Sequence, residues 1–469
     1  MSLLILFSFG CKKGEQNANA APDTTISIEA INLVGENRLN STVRLTWFGT
    51  DIDGYVDYYE IKVNDSEWFK TNLQDSIFLF DIEPGEDSTD IEFLVRAVDD
   101  EGLGDPSPAF LSVPLKNSPP QASFEEETLP PDSTNLVITF RYQVSDPDGN
   151  ETVKQAFIKA NNGDWTEIDL NKRLVSLIAE DTKVTGSTTA SFYYGNEEEP
   201  TGTINDFNNG GGNIIQLKVV DIANTESVVD STLVIKVKEQ TSDLLVVGGH
   251  NAGISKQYAD LVSAAYGVAD YADFAGNSGL NQPRFWNPSF QLMALSYDKV
   301  FFHTNEATFS NPLTGADGTL LDFASPVIQT LVDNDRKVLV STSFATGTDL
   351  TAIKSVLSID SLSPAKGQAF FTNDSFAVAQ KPGYLDLQPS SFLLATDPIY
   401  EALDAEVLYT AQLTPSGPWY GPRTIAITRK NQQDNVSLVL FTIEYHTLDK
   451  LKSNQEQVLS KVINEEFNW

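Results

Sequence analysis

Asp243-Leu244-Leu245-Val246-Val247-Gly248-Gly249-His250 is the stretch whose reading decides the C-terminal fold. Four branched aliphatics in a row, with no polar residue alternating between them, mark a strand buried on both faces. The period then changes, since Tyr258, Leu261, Val262 and Ala265 fall on one face of a helix over 255–266. A doubly buried strand followed by a helix opens a βαβ unit, so a parallel sheet is expected from this point on.

Downstream the alternation continues. Lys299-Val300-Phe301-Phe302 and Lys337-Val338-Leu339-Val340 read as strands, and 324–332 and 348–357 as helices, the second capped by Thr346 or Thr348. Strands over 424–428 and 437–445 and an amphipathic helix over 454–467 close the chain. The expectation for 241–469 is an α/β doubly wound sheet.

Upstream the period is two. Val43-Arg44-Leu45-Thr46-Trp47, Tyr58-Tyr59-Glu60-Ile61-Lys62-Val63 and Ile91-Glu92-Phe93-Leu94-Val95-Arg96-Ala97-Val98 alternate, with turns at Asp51-Ile52-Asp53-Gly54 and Asp99-Asp100-Glu101-Gly102 between them. Asn117-Ser118-Pro119-Pro120 reads as a stiff linker, because consecutive prolines fix φ and cannot donate to a ladder. Beyond it, Leu136 to Val144, Asp146-Pro147-Asp148-Gly149, Ala156-Phe157-Ile158-Lys159 and Trp165 repeat the order strand, Asp-x-Asp-Gly, strand, Trp. Two antiparallel β-sandwiches are expected over 23–116 and 117–240, the second enlarged by an insertion around 197–213. Trp47, the Tyr59-x-Ile61-x-Val63 strand and Phe93-x-Val95-x-Ala97 resemble a fibronectin type III module, and the second segment resembles the same fold or an immunoglobulin-like one. Phe93 stands where that fold usually has a tyrosine whose hydroxyl ties down a corner.

The chain carries 31 basic and 65 acidic residues, a formal charge of -34. Such a field repels phosphate backbones, so nucleic acid is not an expected partner. The Asp-rich turns invite calcium, but neither continues into the remaining ligands of an EF-hand loop, and turn chemistry accounts for them. No cofactor is assigned, with calcium in the sandwich modules as the one possibility kept open.

The single cysteine, Cys11, follows the apolar run Leu3-Leu4-Ile5-Leu6-Phe7 and the small Gly10, and a polar stretch from Lys12 to Ala21 comes after it. A run this short matches the h-region of a signal peptide and not a membrane span. It resembles the lipobox of bacterial lipoproteins, which implies that 1–22 is a signal and tether, that Cys11 carries the lipid, and that the protein sits in the cell envelope. The outer membrane is the expected location, facing the periplasm or the surface.

The C-terminal pattern resembles the glutamine amidotransferase-like (flavodoxin-like) superfamily. Enzymes of that family place a nucleophile on the turn after a middle strand and a histidine, then an acid two residues on, after a late strand. Here the turn reads Ser341-Thr342-Ser343-Phe344-Ala345-Thr346-Gly347 with no cysteine, and Leu448 stands where the acid would follow His446. The resemblance implies the fold without the amidotransferase chemistry.

All three histidines of the chain, His250, His303 and His446, fall at the C-terminal ends of strands, the edge where open α/β sheets bind ligands. His303 brings Asn305 and Glu306, and Glu444 precedes His446. Three histidines suit zinc, but no His-Glu-x-x-His spacing is present and no metal is assigned. Trp286, Trp419 and Tyr420 lie in loops among prolines and offer either a platform for a sugar ring or loop anchors. Two function classes follow. One is a noncatalytic binding or structural role toward a glycan, peptide or protein, with His250, His303, Asn305, Trp419 and Tyr420 as contacts. The alternative is an exported hydrolase with Ser343 as nucleophile, His446 as base and Glu306 or Glu444 as orienter or acid.

Overall fold

The computed structural model describes residues 18–28, 42–80, 88–274, 282–344, 348–363, 368–393, 396–417 and 420–469. Cys11 and Trp419 lie outside them. The described residues form two compact units. The first runs up to Ala122 and takes in Val144–Ala156 and Lys218–Val228; the second holds Ser123–Gln143, Phe157–Leu217 and Val229–Trp469.

The first unit is built on β1 (Asp23–Ile28), β2 (Thr42–Thr50), β3 (Val56–Val63), β4 (Phe69–Thr71), β5 (Asp75–Leu79), β6 (Ser88–Asp99) and β7 (Ala109–Lys116). One antiparallel sheet runs β1-β2-β5 and the other β4-β3-β6-β7. The alternation read in the sequence is the cause. Val43, Leu45 and Trp47 of β2 join Tyr59 and Ile61 of β3 and Phe93, Val95 and Ala97 of β6 in one core. Trp47 is core: its ring meets Tyr59 edge-on at 6.5 Å and its Nε1 donates to the Leu73 carbonyl at 2.8 Å. Phe93, lacking a hydroxyl, packs edge-on against Phe78 and Phe80 instead.

Twelve strands make up the second sandwich: β8 (Gln121–Phe124), β9 (Ser133–Asn135), β10 (Val137–Ser145), β11 (Val153–Ala160), β12 (Thr166–Ile168), β13 (Leu174–Ala179), β14 (Gly186–Tyr194), β15 (Gly202–Asn209), β16 (Gly212–Asn213), β17 (Ile215–Asp221), β18 (Asp230–Ser231) and β19 (Ile235–Lys238). They form sheets β15-β14-β13-β10-β8, β12-β11-β17-β18 and β16-β19-β9. The insertion expected around 197–213 is largely strand, β15 and β16, with β15 paired to β14.

The likeness between the modules extends to individual hydrogen bonds at the Asp-x-Asp-Gly turns and at the turns that follow β6 and β17, all within the first unit. Asp99 accepts from the Leu103 N–H at 2.7 Å and from Asn19 Nδ2 at 2.6 Å; Asp221 accepts from the Thr225 N–H at 2.7 Å and from Asn117 Nδ2 at 2.7 Å. Asp53 takes the Ala20 N–H, and Asp148 the Ser118 N–H. Acidic side chains at these turns close the backbone and hold the residues that precede each module.

The C-terminal part of the second unit contains one ten-stranded sheet. In chain order it brings β20 (Leu244–Gly248), α1 (Ala252–Ala265), β21 (Asp270–Asp273), α2 (Gln291–Leu295) and β22 (Lys299–His303). After the hairpin of β23 (Thr308–Ser310) and β24 (Asp317–Thr319) come α3 (Leu320–Asp333) and β25 (Lys337–Ser341). There follow β26 (Ile359–Leu362), β27 (Ala369–Phe370), β28 (Ala377–Ala379), β29 (Ile399–Glu401), β30 (Ala405–Ala411), β31 (Thr414–Pro415), β32 (Thr424–Lys430), β33 (Val436–Phe441) and α4 (Lys452–Lys461). Strands β21-β20-β22-β25-β33 are parallel neighbours in that order. Leu245, Val247, Phe302 and Val340 face the side covered by α2 and α3, while Val246, Phe301 and Leu339 face α1 and α4. Burial on both faces explains why these strands read as unbroken apolar runs.

Two expectations need correction. The sheet is not wound with helices throughout: β32, β29, β26, β30 and β28 extend it antiparallel beyond β33, and the described residues hold four α-helices. The helix expected over 348–357 is a series of turns. There Asp349 Oδ1 takes the Thr351 N–H at 2.9 Å and the Thr351 hydroxyl at 2.6 Å, and Ser358 at φ 56° ends the segment. No helix among the described residues is long and apolar enough to cross a membrane.

Candidate functional site

The parallel strands deliver their ends to one place. His303 is the last residue of β22, in register with Gly248 of β20 and Ser341 of β25. His250 lies two residues beyond β20, just before Asn251, whose side chain caps α1 by accepting the Gly253 and Ile254 N–H groups. Glu444 and His446 follow β33, and Tyr445–Thr447 form a short 3-10 turn. Gly248-Gly249 is needed for close packing: a Cβ on Gly248 would stand 3.1 Å from His303 Cε1, and one on Gly249 2.5 Å from Thr304 Oγ1. The turn makes room for side chains and is not a phosphate cradle.

The three histidines meet. His250 Nδ1 lies 2.9 Å from His303 Nδ1, and His250 Nε2 3.1 Å from Glu444 Oε2. His446 sits edge-on to His250 with ring centroids 5.8 Å apart, and its Nδ1 is 3.8 Å from Glu444 Oε2. Ser343 Oγ donates to Glu444 Oε1 at 2.9 Å. Tyr258 of α1, fully buried, stacks on His303 at 4.1 Å and places its hydroxyl 2.9 Å from Ser341 Oγ and 3.4 Å from His446 Nδ1. Ser341 Oγ in turn accepts the Tyr445 N–H at 2.8 Å, fixing the turn that carries His446.

Protons follow from these contacts. Burial pushes the Glu444 carboxyl up, but the hydrogen bond and charge of His250, the Ser343 hydroxyl and the nearby His446 outweigh it and hold it below the usual glutamate value. Burial, with His250 and His446 adding to it, pushes His303 well below the ordinary histidine value. Burial also lowers His446, against the pull of Glu444. An ionised carboxylate only accepts, so His250 Nε2 carries a proton toward Glu444. The two facing Nδ1 atoms form the next link, one donating and the other accepting. The result is a continuous chain from the Ser343 hydroxyl through Glu444 and His250 to His303.

The other sequence candidates fall elsewhere. Ser343 is in the cluster, but its hydroxyl is bonded to a carboxylate and not to the His446 imidazole expected of its base. Glu306 is exposed and outside the cluster. Asn305 uses its Oδ1 on the Ala307 N–H, and Tyr420 is 90% exposed. Trp286 is buried, stacked on Phe323 and edge-on to Phe290. Leu448, where a family acid would stand, is core; the acid at this edge is Glu444, on the other side of His446. Tyr258 and Ser341 were not singled out from sequence. Tyr258 signals only an apolar helix position, and Ser341 only a strand end.

One group of three or more His, Cys, Asp or Glu ligand atoms converges among the described residues. It is His250, Glu444 and His446, whose ligand atoms all lie within 4.8 Å of one another. The sequence spacing assigns no metal because these atoms come from strand ends far apart in the chain. Among the described residues the Asp-rich turns form no such group.

No family model and no curated protein matches the chain. Among solved structures, the fibronectin(III)-like modules of CbhA from Clostridium thermocellum share 13% identity, covering 46% of this chain and 94% of that one at a TM-score of 0.19. A two-domain fibronectin type III segment of chicken tenascin shares 12%, covering 46% and 99% at 0.20. Dimeric latent PorU from Porphyromonas gingivalis shares 10%, covering 50% and 22% at 0.17.

Proposed function

We propose that this chain is an exported, lipid-anchored cell-envelope protein whose sandwich modules carry a C-terminal domain that binds and does not catalyse. The parallel order β21-β20-β22-β25-β33 is the flavodoxin-like order, and it supports a glutamine amidotransferase-like domain of that class with an antiparallel extension. In such sheets ligands bind where the strand order reverses, here between β20 and β22, and His250 and His303 stand on the ends of those two strands. The partner is a glycan, peptide or protein.

The observation that carries the noncatalytic reading is the Ser343 Oγ to Glu444 Oε1 bond. A serine becomes a nucleophile when a neighbouring base takes its proton. A carboxylate held below the usual glutamate value is a poor base for that task. With no cysteine in the domain, the turn that bears the nucleophile in amidotransferases is left without one.

Two measurements test this. The whole chain, incubated with p-nitrophenyl esters, chromogenic glycosides and amide substrates, is expected to show no turnover above buffer. Turnover lost in Ser343→Ala would replace the binding reading with a serine hydrolase. For the anchor, metabolic labelling with a fatty acid is expected to mark the wild type and not Cys11→Ala; equal labelling would reject Cys11 as the attachment point.

A further inference from the structure

We propose that His250 Nε2, Glu444 Oε2 and His446 Nδ1 are ligands for one divalent transition-metal ion of the zinc class. The inference rests on reading the strand-edge cluster as the domain's binding site and names what is held there. Two imidazoles and one carboxylate suit zinc, with a fourth position left for water or a partner's donor atom. Tetrahedral bonds of about 2.0–2.2 Å place ligand atoms roughly 3.3–3.5 Å apart. The observed 3.1 Å between His250 Nε2 and Glu444 Oε2 and 3.8 Å between His446 Nδ1 and Glu444 Oε2 bracket that spacing, and the ligand atoms of all three residues lie within 4.8 Å of one another, so a small inward movement of the part-exposed His446 ring completes the set.

Outer contacts point the same way. A metal-bound histidine usually gives its other ring proton to a partner that fixes the ring. His250 Nδ1 has such a partner in His303 Nδ1, on a buried imidazole that ends β22 and stacks on Tyr258. Binding through Nε2 leaves the His250 proton on Nδ1, where it is donated to His303. Glu444 keeps Oε2 for the ion while Oε1 is held by the Ser343 hydroxyl. Tyr258 and Ser341 hold the turn that presents His446. The His250 side chain is fully buried, whereas those of His446 and Glu444 are 12% and 21% exposed, so the open position faces the side from which solvent and a ligand arrive.

The whole chain, stripped with a chelator and dialysed, is titrated with zinc against a competing chelator; then cobalt(II) is added and its visible spectrum recorded. One zinc per chain and the intense visible bands of four-coordinate cobalt are expected. Glu444→Gln, close to isosteric, and His446→Ala should each weaken zinc binding at least about tenfold. The positioning variant His303→Gln should cost about 10–100-fold. Circular dichroism and thermal melting confirm that each variant is folded. A folded wild type that takes up neither ion overturns the metal site and leaves the binding reading intact. Unchanged zinc affinity in both Glu444→Gln and His446→Ala also overturns it, because the ion then sits elsewhere. Zinc-dependent ester hydrolysis lost in Glu444→Gln would support the metal site and remove the noncatalytic reading.

Discussion

Asp221, buried at the end of β17, and Glu444, part-buried beyond the end of β33, are both acids at strand ends, yet they do opposite work. Asp221, like Asp99 in the first module, spends its oxygens on a backbone N–H and on an asparagine that precedes the module. Glu444 spends its oxygens on Ser343 and His250, side chains from two other strand ends. In the sandwiches acidity closes turns; at the α/β edge it gathers groups that can hold something else. Local density of acidic residues is therefore a poor guide to ligands in this chain, and convergence of side chains from distant strands is a better one.

The largest effect expected from breaking this contrast is on stability in the sandwiches. Asp221→Ala leaves the Thr225 N–H without its acceptor and the Asn117 amide with only Thr225 Oγ1, and should cost about 1–3 kcal/mol, read as a lower urea midpoint with unchanged slope. Asp99→Ala should also lower the midpoint, because Asp99 likewise accepts a backbone N–H four residues on and an asparagine amide that precedes its module; a loss in only one module would break the repeat. Next comes the α/β edge. Tyr258→Phe keeps the stacking on His303 but removes the hydroxyl that bonds Ser341 Oγ and accepts the His446 N–H, loosening the turn that presents His446, at about 1–2 kcal/mol in the same assay. It should also weaken zinc binding, whereas Asp221→Ala should not.

Much of this organisation was legible in the residues. Period-two alternation declared both sandwiches, and unbroken apolar runs declared β20, β22 and β25, because pairing and burial impose those patterns directly. The meeting of His250, His303 and His446 was half legible, since parallel strands bring their C-terminal ends to one edge, but which ring faces which depends on side-chain packing. Tyr258 stayed hidden, as a tyrosine on the apolar face of a helix reads as core. The antiparallel extension was hidden for a different reason. Strands β26, β28 and β29 have three or four residues each, too short for any period. At 348–357 the helical spacing lost to Asp349, whose side chain bonds the backbone two residues on.

A smaller effect separates the two regions by pH. Burial pushes the Asp146 carboxyl up, offset in part by hydrogen bonds from the Asp148 N–H and Thr152, with Asp221 and Glu151 adding to the rise. Its folded value lies above the ordinary 3.8, so its contribution to stability is present below that value and lost as pH rises through the folded value. Asp146→Asn should remove that loss. Relative to wild type, its urea midpoint should be slightly higher at pH 7, with the difference closing as the pH falls toward 3.8. A variant less stable than wild type at pH 7 would show that the ionised carboxylate is needed there.

The smallest expected effect is calcium's. A hard cation of this size wants six to eight oxygens around it. At the turns of both sandwiches, oxygens of Asp53, Asp99, Asp148 and Asp221 accept from N–H groups, and no three acidic ligand atoms among the described residues converge there. A donor N–H pointed at a carboxylate occupies a direction that a cation would have to take. The melting temperature of the sandwich transition should therefore agree within error in millimolar calcium and in chelator, while zinc shifts the transition of the α/β domain upward through its preference for the folded state. A calcium-dependent rise confined to the sandwich transition would invert the comparison, giving the acidic turns the ligand role assigned here to the histidine edge.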